Sequence, residues 1–201
     1  MPLSTVLGAQ SLVQPAVCTT ATRPASPYTG QAIYDTTTAT TLIWNGTAWV
    51  GTGKLLQIVN SQTGAVATGT TTIPFDDTIP QITEGTEFLT LAITPTSATT
   101  LLQIDITVSF SYSILNTVTL ALFQDSTANA LAASCEYGST ATGMINSSLT
   151  YKMTSGTTSA TTFRLRMGGE TAGTLTLNGF SGARKLGGVY ASSINITEYA
   201  A

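Results

Sequence analysis

At 201 residues the chain is long enough for one full domain and a short appendage. Only 8% of its residues are charged, against roughly a quarter in an average soluble domain, so much of its surface is neutral and suited to burial against other copies or a larger assembly. Seven scattered basic residues in a chain of net charge −3 make no patch that could neutralise a nucleic-acid backbone, so nucleic acid is not an expected partner, and the absence of histidine removes the commonest general base and zinc ligand, which argues against an enzyme.

Residues 1–21 read as an irregular N-terminal arm of small and polar residues. With nothing of its own to pack on, such an arm is ordered by a partner. Its opening, MPLSTVLGAQSLVQPAV, lacks basic residues and a continuous apolar core, so it is a poor signal peptide. No apolar run reaches the roughly 18 residues of a membrane span, and no membrane partner is expected.

Residues 22–53 follow as a small β-hairpin module with a linker at Gly51-Thr52-Gly53. Ile33-Tyr34-Asp35 begins one strand and Leu42-Ile43-Trp44 rises into a second. Asn45-Gly46 is expected to make a type I′ turn before Thr47-Ala48-Trp49-Val50, because both residues tolerate positive φ. Pro24 and Pro27 stiffen the approach and Gly30 closes it. Tyr28, Tyr34, Trp44 and Trp49 make the densest aromatic group outside the larger domain. They read as a particle-docking interface, since aromatic anchors dominate interface energetics, or as a mini-core holding the hairpin. Both can be true.

This string, TRPASPYTGQAIYDTTTATTLIWNGTAWV, resembles the "RP…P…GQ-IYDT-T…-WNG-W" segment that recurs in structural proteins of tailed bacteriophages, particularly phages of cyanobacteria and marine bacteria. The resemblance covers about thirty residues and implies a virion component.

Residues 54–201 form one long series of strands. Leu55–Val59 opens it, and Glu87–Ile93 alternates with Phe88 out of phase. Over Thr100–Ser113, Ile104, Ile106, Val108, Phe110 and Tyr112 face one way while Asp105, Thr107, Ser109 and Ser111 face the other, which commits one face to a core. Asn116–Gln124 is expected to pair with that strand as a hairpin. Leu131–Tyr137, Ile145–Met153 and Thr161–Met167 follow, the last with Phe163, Leu165 and Met167 inward. Thr174–Leu177 and Gly187–Tyr199 complete the series. Turn signals every 8–12 residues or so predict an all-β, antiparallel jelly-roll sandwich, which hides most sheet edges.

The order LLQIVN, TLLQIDITVSFSY, NTVTLALFQD, FRLRMGG and GGVYASSINITEY resembles the compact trimeric jelly roll of the C1q and tumour-necrosis-factor type over about 145 residues. In that family the last strand runs near the threefold axis. The resemblance implies a homotrimer with Tyr190, Ile194 and Ile196 on that strand.

Chemistry is sparse. No catalytic residues and no cofactor are expected. Asp76-Asp77, in the extended stretch Ile73–Pro80, are weak candidates for a calcium site; a solvated turn, in which Asp bonds its own backbone, is the preferred reading. Gly168-Gly169 and Gly187-Gly188 lack the Lys-Ser/Thr pair and helix of a phosphate loop. Cys18 and Cys135 read as reduced thiols. The sequence therefore leads to a phage virion structural protein, in first place a trimeric capsid decoration (cement) protein that bridges and stabilises subunits of the major capsid protein. The alternative is a receptor- or glycan-binding module of a short tail or head fibre, with a host surface glycan as partner.

Overall fold

The computed structural model describes residues 15–51, 55–138 and 143–200. The chain divides into two compact units, Met1–Lys54 and Leu55–Ala201.

In the first unit, strands β1 (Ala16–Cys18), β2 (Ala32–Asp35), β3 (Thr40–Trp44) and β4 (Trp49–Gly51) form one sheet in that order. β1 runs parallel to β2 and the remaining pairs are antiparallel. The last residues of the expected arm are thus strand β1 and a 3-10 turn, Thr20–Thr22, rather than irregular chain. Trp44 lies opposite Trp49, so a four-residue loop replaces the expected two-residue turn. Asn45 explains the difference: its Oδ1 accepts the amides of Thr47 and Ala48 at 2.9 and 2.8 Å, leaving only Gly46 at positive φ.

The second unit contains β5 (Leu55–Thr63), β6 (Ala67–Gly69), β7 (Thr86–Ile93), β8 (Leu101–Tyr112), β9 (Thr117–Gln124), β10 (Ala132–Tyr137), β11 (Met144–Thr154), β12 (Thr161–Gly169), β13 (Leu175–Leu177), β14 (Gly179–Phe180), β15 (Ala183–Arg184) and β16 (Ser192–Tyr199). One sheet has the order β10-β9-β12-β7; the other has β5-β16-β8-β13-β6, with β11 also on β8, and β14-β15 is a separate small hairpin. All pairings in this unit are antiparallel. Two antiparallel sheets share one core, and the chain crosses between them repeatedly: this is a jelly roll.

Alternation accounts for the core. Ile104, Ile106 and Phe110 of β8 meet Leu120 and Leu122 of β9, Phe163 and Leu165 of β12, and Ile194 and Ile196 of β16, all essentially inaccessible. Full burial of such a side chain contributes about 1.5–3 kcal/mol. Phe88 is out of phase because it is a bulge: Leu165 pairs with Leu89 and Arg166 with Glu87, skipping it.

The expected β8–β9 hairpin does not form. β9 pairs with β10 and β12 in the opposite sheet. The connection's backbone bonds also go elsewhere: the Ser113 amide donates to Thr174 O and the Gly138 amide to Asn116 O. Ser109 and Ser111, on the expected solvent face of β8, are buried; the Ser111 hydroxyl donates to Gly179 O of β14.

Candidate docking and assembly surfaces

In the N-terminal unit, alternation on β2 buries Ile33 and Asp35 and turns Tyr34 outward. Asp35 is a buried carboxylate with five donors. Its Oδ2 accepts from Arg23 Nε at 2.7 Å and Thr20 Oγ1 at 2.9 Å, with Arg23 Nη2 also at 2.7 Å. Its Oδ1 accepts the amides of Thr37 and Thr38 at 2.8 and 3.3 Å. Burial pushes its pKa up, but the Arg23 guanidinium, the Thr20 hydroxyl and the two amides outweigh that and hold it below the ordinary value. This joint fastens the Thr20–Arg23 segment to the start of the β2–β3 turn.

The four aromatic residues do not form one group. Trp44 and Trp49 meet edge to face, ring centroids 5.5 Å apart. Register puts them on the face of Ile33 and Leu42, whereas Tyr34 lies on the other face and Tyr28 is exposed before β2. On Tyr34's face the pairs Val17–Tyr34 and Ile43–Val50 align, and all four side chains are exposed, Val17 by 61%. Sequence reading overlooked Val17, Ile43 and Val50. Ile43 and Val50 could have been found from strand alternation, while Val17 fell in the expected arm.

In the jelly roll, Ile194 and Ile196 are fully buried inside a single subunit, and Tyr190 precedes β16, its hydroxyl 3.2 Å from Asn146 Oδ1. The two isoleucines therefore cannot line an axis between subunits. The outward residues of β16 are Ser193, Asn195, Thr197 and Tyr199. They stand in cross-strand rows with β5 and β8: Asn60–Asn195–Asp105, Ile58–Thr197–Gln103 and Leu55–Tyr199–Leu101. Leu55, Ile58 and Leu101 are exposed, which makes one end of this face apolar; the rest carries amides, hydroxyls and few charges.

Glu198, on the inward side of β16, is fully buried with no cation within salt-bridge distance among the described residues. Oε1 accepts from the Thr96 amide at 2.8 Å, the Thr96 hydroxyl at 2.9 Å and the Thr100 hydroxyl at 2.6 Å; Oε2 accepts from Gln57 Nε2 at 2.6 Å. Burial raises its pKa, yet these hydrogen bonds prevail and hold it below 4.5.

Asp76 bends back on its own turn, accepting from the Thr78 amide at 2.8 Å and the Thr78 hydroxyl at 2.5 Å. The hydroxyl and amide together lower its pKa against a smaller effect of burial. Among the described residues no three His, Cys, Asp or Glu side chains gather where they could hold a metal. Cys18 and Cys135 are free thiols.

A family model described as the Pgp3 C-terminal domain matches residues 68–200, from within β6 to the end of β16. No curated protein matches the chain. Among solved structures the chain is similar to Eiger TNF from S. frugiperda, at 10% identity over 71% of this chain and 93% of that one, with a TM-score of 0.40. It is also similar to infectious bursal disease virus, Gx strain, at 12% identity over 78% and 40% of the two chains, with a TM-score of 0.33. The VP2 subviral particle of infectious bursal disease virus gives 11% identity over 88% and 47%, with a TM-score of 0.34. With its match spanning more than half of the sequence, the chain belongs to the Pgp3 C-terminal domain family.

Proposed function

We propose that the protein is a structural component of a phage virion: a homotrimer that attaches through its N-terminal unit and presents its jelly roll outward. The observation that carries this reading is the exposed apolar face of Val17, Tyr34, Ile43 and Val50 on a sheet fixed internally by Arg23 and Asp35. Contiguous apolar surface of this kind on a charge-poor chain suits permanent burial against a partner. The resemblance of Thr22–Val50 to phage structural proteins makes that partner a virion protein, first of all the major capsid protein. Trimeric assembly is the habit of C1q/TNF-type jelly rolls, and the face of β5, β16 and β8, with Leu55, Ile58, Leu101 and Tyr199 at one end, suits contact between subunits. As a capsid decoration protein it would act mechanically: trimers bridging neighbouring capsid subunits add interfaces that DNA pressure must break.

Immunogold labelling of intact virions with an antibody against the chain tests this. Gold spread over the head supports decoration. Absence of label from every particle overturns the virion reading.

The second reading is a glycan-binding module of a short tail or head fibre. On its side is the loop holding Asp77, where the Phe75 ring is 57% exposed and available to stack on a sugar. Gold confined to the tail or a single vertex, with a hit on a glycan array, would favour it over decoration.

A further inference from the structure

The jelly roll also carries an exposed loop outside the two surfaces proposed above for attachment and subunit contact. Residues 181–187, from the turn of the β14–β15 hairpin into the following 3-10 turn Leu186–Gly188, are all exposed, and a Cβ added at Gly182 or Gly187 would meet nothing within 4 Å. Its base is fixed: a Cβ at Gly64 would lie 1.8 Å from the Gly188 carbonyl oxygen, so only glycine lets the two chains touch there. On this segment and just after it are two large aliphatic side chains, Leu186 at 71% and Val189 at 85% exposure. Leu186 is also held at φ 49°, a left-handed backbone geometry that costs a leucine and would suit glycine. Neither side chain is buried by the fold.

Beside them are Arg184 and Lys185, the one adjacent basic pair in the sequence. Among the described residues, Arg23, Arg164 and Arg166 each have a carboxylate within 4 Å, whereas neither Arg184 nor Lys185 has one. Lys185 instead stands 5.5 Å from the centre of the Phe180 ring. In a chain of net charge −3 this is a local cationic spot capped by aliphatic groups.

We propose that this loop docks on an anionic lipid surface, with Leu186 and Val189 entering the interfacial layer and Arg184 and Lys185 pairing with headgroup phosphates. Open surroundings favour a lipid surface over a protein groove: exposed aliphatic side chains on a loop can sink among acyl chains without a matching pocket, and each flanking cation adds attraction to an anionic leaflet.

The test is co-sedimentation of the full chain with phosphatidylcholine vesicles, with and without phosphatidylglycerol. Pelleting is expected only with the anionic vesicles, and about 0.5 M salt should release it. Arg184→Gln with Lys185→Gln should weaken partition by roughly tenfold or more. Leu186→Gly, at a position where glycine is unstrained, should also reduce it with the melting temperature kept. Absence of pelleting with either vesicle, or equal pelleting by wild type and both variants, overturns the proposal. Loss in the charge variant with none in Leu186→Gly overturns the lipid assignment and points to a purely charge-driven partner such as an acidic protein.

Discussion

Arg23 and Asp35, twelve residues apart in sequence, are joined side chain to side chain, with both Arg23 Nε and Nη2 at 2.7 Å from the same carboxylate oxygen. The pair explains why RP and IYDT occur together in the N-terminal segment. The arginine closes over a carboxylate that strand alternation has buried, and that carboxylate caps the turn leading to β3 through the Thr37 and Thr38 amides. Removing the cation leaves a buried charge short of its strongest donor.

Arg23→Gln is therefore expected to loosen the N-terminal unit while leaving the jelly roll folded. Limited proteolysis should show faster cleavage within residues 15–51 and an unchanged core fragment beginning near Leu55. Asp35→Asn should act in the same direction, because an amide cannot accept all of the donors converging there.

Glu198 predicts a pH dependence. Its folded pKa lies below the ordinary 4.5, so its stabilising contribution is complete above that value and is lost as pH falls through the lower, folded pKa. The melting temperature of the jelly roll should fall as pH drops from about 5 toward 3, and Glu198→Gln should flatten that slope. Glu198→Ala, leaving buried donors without an acceptor, should cost about 1–3 kcal/mol at neutral pH by denaturant unfolding.

The two faces of β16 should behave differently. Ile194→Ala removes a fully buried side chain and is expected to cost about 2–5 kcal/mol of subunit stability. Leu101→Ser with Tyr199→Ser alters only the outward face. In sedimentation velocity it should shift the proposed trimer toward monomer with the fold retained. A double variant that keeps the wild-type mass would remove this face from the assembly.

Replacing Tyr34, Ile43 and Val50 together by serine should abolish binding to purified capsids without disturbing the Trp44–Trp49 contact, readable from tryptophan fluorescence. Swapping Trp49 for leucine should instead destabilise the module.

Calcium and EDTA should each leave the melting temperature within about 1 °C of the untreated protein, since Asp76 is engaged by Thr78 and a ligand stabilises only a state it binds.

Much of the architecture can be read from the chain alone because side-chain alternation is local. The period-two pattern over Ile104–Tyr112 and over Phe163–Met167 commits those residues to a core whatever their neighbours are. The low charge and lack of histidine likewise need no coordinates. Alternation states which side of a strand is buried; it does not state which strand lies beside it. Partner choice depends on long-range closure of the sheets, and so tertiary structure alone sent β9 to the sheet opposite β8, covered Ser111 with Gly179, and turned Ile194 and Ile196 toward the subunit's own core. The same holds in the small sheet. The aromatic residues stand close in sequence, but cross-strand register separated Tyr34 from the tryptophans and aligned it with Val17, a residue seventeen positions earlier. The Arg23–Asp35 joint has the same origin: both residues are visible in the sequence, and only burial of β2's inner face makes their charges meet.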